Sequence, residues 1–286
     1  MAIDAANTST VSPRRAGYRF NLTGWTSLIV ILAWALIAIL APYVTPHGIS
    51  DIVDTDYFGP MSLQFPLGTD YLGRDMLSRI MFGARYTVGI SLAATLIACT
   101  IGVTLGMAAA VTGGWFDTAL SRFIDALSSI PSKLFALVAV AGVGSSIPVL
   151  MLILGIIYTP GSYRFARALA VNVNTADFVT VARIRGEKLS YLIRAEILPN
   201  IIGPVLADVG LRFVFIVLLL SGLSFLGLGV QPPEADWGSL VRENIGGLPF
   251  GAPAVMFPSL AIASLTISLN LLIDNLPQKI RDRSTS

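Results

Sequence analysis

Long apolar runs without a single charge dominate this sequence and decide the solvent in which it can fold. Residues 86–116 and 134–163 contain no Asp, Glu, Lys or Arg. A helix needs about 20 predominantly apolar residues to cross the hydrocarbon core of a bilayer, so each run is long enough to span it. Charged residues make up only 13% of the chain, about half of what a soluble domain carries. This composition predicts a protein that folds in a membrane.

These runs and three others divide into about six predicted transmembrane helices, and the prediction is an all-α integral membrane protein. The continuous helices lie at about residues 25–44, 86–116, 201–228 and 252–273. The run at 134–163 contains Gly142, Gly144 and Pro148, residues that are typical of turns. It therefore predicts the end of a third helix, a short loop and a fourth helix. The first half of the third helix is charged, at Asp117, Arg122, Asp125 and Lys133.

Basic residues are distributed unevenly between the two sides of the predicted membrane. With six helices and an inside N-terminus, the inside segments hold fourteen of them: Arg14, Arg15, Arg19, Arg122, Lys133, Arg164, Arg167, Arg183, Arg185, Lys188, Arg194, Lys279, Arg281 and Arg283. The outside segments hold Arg74, Arg79, Arg85 and Arg242, and Arg212 falls within a helix. Cytoplasmic segments of membrane proteins are enriched in Lys and Arg, so both termini are predicted to be cytoplasmic.

The first apolar run allows an alternative, because basic residues precede it as they precede a cleavable signal peptide. The run is long for a signal peptide and five further helices follow, so an uncleaved anchor is predicted. The predicted segments are a cytoplasmic tail (1–24), the first helix (25–44), an extracytoplasmic segment (45–85), a five-helix core (86–276) with a cytoplasmic loop (171–196), and a cytoplasmic tail (277–286).

The cytoplasmic loop is amphipathic and charged, unlike the sequence on either side of it. Apolar residues recur at helical spacing around Gly186. They are Phe178, Val181 and Ala182 before the glycine, and Leu189, Leu192, Ile193 and Ile197 after it. Glycine adopts the left-handed conformation that ends a helix, so the loop is predicted as helix, glycine turn and helix. Two uses remain open from these residues alone: a helix lying on anionic headgroups, or a docking element for a soluble partner.

Polar and small residues within the apolar runs add further predictions. Asp208 and Arg212 share a helix face, and such residues face a bundle interior or an aqueous cavity. The pair either fixes helix packing or lines a solute pathway. Small residues suited to close helix contact, or to a gate hinge, are Gly102, Gly106, Ala110, Gly113 and Gly114. Trp237 is predicted to anchor at the membrane interface.

Two glycine-rich turns precede the second helix. Gly68-Thr69-Asp70 and Gly73-Arg74-Asp75 alternate glycines with charged residues, as in turns that lead into a helix. Asp70 is the predicted N-cap. These residues form either a self-satisfied surface loop or a structured ledge that faces a partner.

Catalysis by this chain is not expected from the sequence. A phosphate loop ends in Gly-Lys, whereas the three lysines follow Ser132, Glu187 and Gln278. His47 is the single histidine and Cys99 the single cysteine, too few for a thiolate or imidazole metal site. No catalytic residue, metal ligand or nucleic-acid contact is therefore predicted.

Four motifs resemble one family of membrane proteins, in the order that this family has them. Ala182-x-x-x-Gly186 followed by Ile197-Leu198-Pro199 resembles the cytoplasmic EAA signature of ATP-binding-cassette importer permeases, although Thr180 stands where the family has glutamate. The other three resemble the dipeptide/oligopeptide/nickel subgroup, in particular its C-type permease. They are Phe65 to Arg79 continuing to Gly83-Ala84-Arg85, Tyr163-Arg-x-x-Arg167, and Ser224 to Gly229 followed by Pro232-Pro233 and Asp236-Trp237-Gly238.

The resemblance implies a type I importer permease fold in a prokaryotic inner membrane, and a transport subunit for di- or oligopeptides. Nickel, opines or glycosides are alternative solutes, and an ATPase-independent channel is a more distant alternative. The implied partners are a second homologous permease, two ATP-binding-cassette ATPases, an extracytoplasmic solute-binding protein and lipid. No cofactor is expected on this chain, since ATP and magnesium belong to the ATPases.

The resemblance also implies roles for particular residues. The ATPase-coupling set comprises Phe178, Val181, Ala182, Arg183, Arg185, Gly186, Glu187 and Lys188. The extracytoplasmic contact set comprises Gly68, Thr69, Asp70, Gly73, Arg74 and Asp75. Asp208 and Arg212 are the candidate pathway residues.

Overall fold

The computed structural model describes residues 21–275 and is built from helices joined by turns. Within that range the α-helices are α1 (Leu22–Val44), α2 (Met76–Thr112), α3 (Gly114–Ser128), α4 (Ser132–Val143), α5 (Ile147–Asn174), α6 (Asp177–Ile184), α7 (Leu189–Tyr191), α8 (Leu198–Phe225), α9 (Trp237–Asn244) and α10 (Met256–Asp274). A π-helical turn, Leu192–Ile197, joins α7 to α8. Most of the predicted first tail and all of the predicted last tail lie outside the described residues.

Five helical segments are long and apolar enough to cross a membrane. They are Leu22–Val44, Met76–Thr112, Ile147–Asn174, Leu189–Phe225 and Pro253–Asp274. α3 and α4 together make a sixth candidate span, bent by 79° at the break between them. Pro131 lies at this break, and the residue before a proline is disfavoured in a helix. The all-α fold with about six spans is confirmed, and the predicted third helix is the broken one.

α2 begins ten residues before the predicted span, at Met76 instead of residue 86. With 37 residues it is roughly 55 Å long, whereas the hydrocarbon core of a bilayer is about 30 Å thick. The uncharged run marks only the part of the helix that carries no Asp, Glu, Lys or Arg. The helix itself starts where the Asp75 side chain accepts hydrogen bonds from the backbone N–H groups of Leu77 and Ser78.

The centre of the bundle is the contact between α2 and α5. A Cβ atom on Gly102 would lie 2.7 Å from Cβ of Ser162, and one on Gly106 would lie 2.6 Å from the carbonyl oxygen of Tyr163. The two backbones approach so closely that only glycine fits, which confirms the prediction for these two positions. Gly113 and Gly114 instead have positive φ angles and open space around them. They form the turn between α2 and α3.

The connections collect at two opposite ends of the bundle. At one, here called the α9 end, the segment between α1 and α2 meets α9, and the Tyr71 N–H donates to Oδ1 of Asn244 at 3.1 Å. At the other, the α6 end, α6 packs beside the last turns of α2 and α5. Nδ2 of Asn275 donates to Oγ1 of Thr23 at 3.3 Å, so the two ends of the described range lie next to each other.

Candidate functional site

The loop at the α6 end has the predicted helix, glycine turn and helix. Gly186 has a φ of +77°, the left-handed conformation that glycine adopts most readily. Its N–H donates to the carbonyl of Arg183, and the N–H of Glu187 donates to the carbonyl of Ala182. This pair of bonds is a Schellman motif, which satisfies the last carbonyl groups of a helix. The motif sets the direction in which the chain leaves α6.

α6 presents an exposed apolar face to the outside of the bundle. Phe178, Val181 and Ile184 are 45%, 54% and 80% exposed. Val179 and Ala182 are buried and pack with the apolar cluster of α2, α5 and α8. The predicted face of Phe178, Val181 and Ala182 is therefore wrong for Ala182, which belongs to the buried side. The boundary between the two faces passes between neighbouring apolar residues, so hydropathy alone could not locate it.

The exposed face continues into basic residues around the glycine turn. Arg185 and Lys188 are exposed, and Nη2 of Arg185 donates to Oε1 of Glu187 at 3.0 Å. We call Phe178, Val181, Ile184 and Arg185 the α6 surface. Arg183 does not extend this surface, because its guanidinium group hydrogen-bonds back to α2 and α5.

The segment after Gly186 returns to the bundle through the π-helical turn. Leu192 and Ile197 are both buried, although five residues separate them. In an α-helix residues five apart point in different directions, whereas a π-turn, with its i to i+5 hydrogen bonds, brings them to one side. α7, the π-helical turn and α8 thereby form one continuous helical segment, Leu189–Phe225, that begins after the glycine turn.

A buried ionic cluster holds the α9 end together. Oδ2 of Asp70 accepts from Nε of Arg74 at 2.7 Å and from Nη1 of Arg79 at 2.5 Å. Oε2 of Glu243, on α9, accepts from Nη2 of Arg74 at 3.2 Å and from Nη1 of Arg79 at 2.8 Å. Asp70 and Arg79 are almost fully buried. Two carboxylates and two guanidinium groups thus fasten the segment between α1 and α2 to α2 itself and to α9.

The six residues of the predicted extracytoplasmic contact set are all buried in this subunit. Gly68 and Gly73 have positive φ angles, and a Cβ on either would lie within 2.5 Å of a backbone oxygen, which confirms the predicted turns. Oγ1 of Thr69 accepts from the N–H of Gly59 at 2.8 Å. These residues are buried and support the surface of the α9 end without forming part of it. The predicted N-cap was wrong: Asp70 binds arginines, and Asp75 caps α2.

Trp237 lies in the interior, which corrects the predicted interfacial anchor. Its side chain is fully buried, its Nε1 donates to the carbonyl of Ile80 at 3.0 Å, and its ring meets that of Trp34 edge-on at 4.7 Å. The indole is enclosed because α9 packs back onto α1 and α2. A tryptophan near a predicted membrane boundary is equally compatible with both positions until that packing is known.

The Ser224-to-Trp237 motif is organised around Asp236. Its carboxylate accepts from Oγ of Ser224 and from the N–H groups of Val230 and Ser239. Ser239 Oγ in turn accepts from the Asp236 N–H, which completes a capping box at the start of α9. Complete burial raises the pKa of the Asp236 carboxyl group, and these hydrogen bonds partly oppose that shift. The motif therefore turns the chain from α8 into α9.

Asp208 and Arg212 form the predicted pair at the centre of the bundle. Nη2 of Arg212 donates to Oδ1 of Asp208 at 2.9 Å, and Nε donates to Oδ2 at 3.2 Å. Oγ of Ser162 donates to Oδ2 of Asp208 at 3.3 Å. The Arg212 side chain packs against α5 at Gly161, where a Cβ atom would meet its guanidinium group. Arg212 also borders a cavity of about 260 Å³ beside the α3–α4 break. The pair thus packs helices together, and Arg212 alone of the two borders the cavity.

The sequence did not indicate a second ion pair that joins α3 to α5. Nε and Nη2 of Arg167 donate to the two carboxylate oxygens of Asp117 at 2.5 Å and 2.6 Å. Beside them the hydroxyl groups of Ser121 and Tyr163 lie 2.8 Å apart. Arg167 and Tyr163 belong to a quoted motif, but their partners are about 50 residues away. Among residues 21–275 no group of three or more His, Cys, Asp or Glu side chains is placed to hold a metal ion.

Membrane-length helices, a helix-turn-helix loop at one end and buried ion pairs within the bundle define a multi-span integral membrane protein. Residues 102–282 match the family described as binding-protein-dependent transport system inner membrane component. The chain belongs to this family. Its place there confirms the resemblance to ATP-binding-cassette importer permeases.

Two relatives cover most of the chain. The dipeptide transport system permease protein DppC of Haemophilus influenzae is 32% identical over 265 residues, covering 91% of this chain and 90% of the relative. A putative peptide transport system permease protein of Brucella suis is 34% identical over 269 residues, covering 92% and 86%. Both names describe permease components of peptide transport systems.

The fold is also found in a solved transporter. The inward-facing MetNI methionine ABC transporter superposes with a TM-score of 0.57 at 14% identity, covering 73% of this chain and 96% of that one. The likeness concerns the fold alone. It confirms the predicted fold class, that of an ATP-binding-cassette importer permease.

Proposed function

We propose that this chain is the membrane-spanning permease subunit of an ATP-driven importer for di- or oligopeptides. The observation that carries the proposal is the α6 surface: apolar side chains held outward by a buried opposite face and a fixed glycine turn. Apolar residues kept out of the core in this way favour a protein partner. The printed names of the relatives supply the solute class.

The proposed assembly contains four kinds of partner. A second homologous permease completes the pathway, two ATPases bind ATP and magnesium, a solute-binding protein delivers the peptide, and lipid surrounds the spans. The α6 end and both termini face the cytoplasm, and the α9 end faces outward. Adjacency of Thr23 and Asn275 supports placing the termini on one side. The chain itself is a non-catalytic subunit.

Coupling between ATP hydrolysis and transport is assigned to residues 178–188. Phe178, Val181, Ile184 and Arg185 would contact the ATPase, while Gly186 sets the angle of the loop. Glu187 and Lys188 continue the charged edge. Closure of the ATPases would push on this loop and switch the spans between inward-facing and outward-facing states.

The pathway itself is assigned to the region around Asp208 and Arg212. Arg212 borders a cavity at the middle of α8 and pairs with the buried Asp208. Ionised groups at that depth are characteristic of substrate pathways. A peptide carries charged termini that such a pair can meet in turn. When no solute is present, the charges of Asp208 and Arg212 would compensate each other.

The test is purification of the tagged chain from its native membrane in mild detergent, followed by reconstitution into proteoliposomes. We expect a second permease and ATPases to copurify, and a labelled dipeptide to accumulate only with ATP and the loaded binding protein. Recovery of the chain alone, with ATP-independent flux, would instead identify a channel. If the ATPases copurify but the complex imports nickel or a glycoside and no peptide, the ATP-driven importer would stand and the proposal that its solute is a peptide would be refuted.

A further inference from the structure

The last turn of α2 is closed by side chains from two other helices. A helix end leaves its last carbonyl groups without partners in the helix. Nδ2 of Asn174, the final residue of α5, donates to the carbonyl oxygen of Ala110 at 3.0 Å. Nη2 of Arg183, on α6, donates to the carbonyl oxygen of Val111 at 3.0 Å. The ends of α2, α5 and α6 therefore meet at the carbonyl groups of two buried residues, Ala110 and Val111.

Arg183 and Asn174 also bind each other. The same Nη2 of Arg183 donates to Oδ1 of Asn174 at 2.8 Å, so its two hydrogens serve two acceptors. Asn174 uses its oxygen toward Arg183 and its nitrogen toward α2, which leaves one orientation of the amide. The positive charge also lies at the C-terminal end of α2, where a helix carries partial negative charge. We call Arg183 and Asn174 the α6 junction.

The position of the α6 junction determines which helices move together with α6. Beyond the glycine turn, α7, the π-helical turn and α8 form one helical segment, Leu189–Phe225. α6 is also linked to α5 by the two residues Thr175 and Ala176. This short link limits how far the two helices can separate, and the α6 junction limits the angle between them. α2 and α5 mesh at Gly102 and Gly106 without room for a Cβ atom, so a force on either one moves both. Val179 and Ala182 pack nearby, but apolar contacts resist sliding less than directed hydrogen bonds do.

We propose that Arg183 and Asn174 are positioning residues that transmit movement of α6 to the α2–α5 pair during transport. The inference rests on the proposed function and gives Arg183 a role different from that of its neighbours. Residues of the α6 surface contact the ATPase, whereas the guanidinium group of Arg183, an exposed residue, reaches back to the ends of α2 and α5. Loss of the junction leaves the ATPases bound and hydrolysing, but separates hydrolysis from import.

The experiment measures ATP hydrolysis and labelled dipeptide import in the same proteoliposomes, using the complete complex. The variants are Arg183→Ala, Asn174→Ala, their combination, and Arg183→Lys. Arg194→Ala is the matched control, because it removes an exposed arginine from the same loop away from the junction. We expect Arg183→Ala to retain the ATPases while imported peptide per ATP falls about tenfold. Arg183→Lys should recover part of the ratio, and the double variant should be no worse than either single one.

Three results would overturn the inference. An unchanged ratio of peptide to ATP in Arg183→Ala would show that the junction transmits nothing. Loss of the ATPases from Arg183→Ala, with normal thermal stability of the chain, would make Arg183 a docking residue. Additive losses in the double variant would show that the two residues act separately. The wild-type complex is assayed before any variant. If it contains no ATPases or imports no peptide, the proposed function itself is refuted.

Discussion

At the scale of single residues, buried charge is the feature that most distinguishes this subunit from its lipid surroundings. Asp70 is fully buried between Arg74 and Arg79, with Glu243 completing the cluster. A buried ion pair adds little net stability compared with apolar residues, but removing one partner leaves an unpaired charge behind. The arginine and aspartate were visible in the sequence motif. Glu243 was not, because it lies more than 160 residues further along the chain.

Replacement of Asp70 by asparagine should destabilise the α9 end severely. The change leaves two buried guanidinium groups with one carboxylate, and breaking a buried pair costs about 3–5 kcal/mol. Thermal unfolding of the detergent-solubilised subunit measures the effect. Asp56→Asn, an exposed aspartate in the same segment, is the control and should leave the midpoint unchanged. Equal midpoints for both variants would contradict a structural role for the cluster.

Replacement of Gly186 by valine should abolish import without preventing membrane insertion. A left-handed conformation costs an L-residue roughly 1–2 kcal/mol, and a β-branched one more. No atom lies within 4 Å of a Cβ at this position, so the cost comes from the backbone alone. Gly186→Asn should retain most activity, since asparagine tolerates this conformation. The measurement is peptide uptake, normalised to the amount of the subunit in the membrane. Full uptake by the valine variant would exclude a requirement for this turn.

At the scale of elements, the predictions succeeded where a local signal controls the structure. Uncharged runs predicted the spans, because lipid excludes unpaired charge along a whole helix. Gly68, Gly73 and Gly186 predicted turns, because the residue type limits φ. Helix starts and faces were less predictable. The extension of α2 to Met76 depends on a cap, and the burial of Ala182 depends on which helices α6 meets.

The α2–α5 contact provides a test at this scale. Gly106→Ala should lower the thermal midpoint of the subunit, because the added methyl group would meet a backbone oxygen of Tyr163. Overpacking typically costs about 1–3 kcal/mol. Gly89→Ala places the same substitution in the same helix, where no atom lies within 4 Å, and should be neutral or stabilising. A similar decrease for both variants would show that the close contact at Gly106 is not the cause of the destabilisation.

At the scale of the whole molecule, the two ends of the bundle are built differently. The α9 end is fastened by ionic and capping interactions that leave its motif residues buried. The α6 end is fastened by a small apolar contact and the α6 junction, and exposes the α6 surface. Under the proposed orientation, the α9 end would receive the solute and the exposed loop at the α6 end would receive the force from the ATPases.

Replacement of Phe178 by aspartate should prevent capture of the ATPases. The side chain is 45% exposed, so the subunit should fold and insert normally, while a carboxylate would be desolvated in an apolar interface. Copurified ATPase per permease measures the loss, which we expect to exceed tenfold. Tyr57→Asp alters a 72% exposed aromatic residue at the α9 end and should not change capture. Normal capture by the Phe178 variant would remove the α6 surface from the ATPase contact.

The sequence by itself determined that this protein is a helical membrane bundle, roughly where its spans lie, and that one loop turns at Gly186. Each follows from a property that a short stretch carries: hydropathy, the absence of charge, or the limits that a residue type places on its own backbone. Tertiary structure decided that Trp237 is enclosed, that Glu243 binds Arg79, that Arg167 pairs with Asp117, and that the guanidinium group of Arg183 binds Val111. These contacts join residues far apart in the chain, so their energies depend on which helices become neighbours.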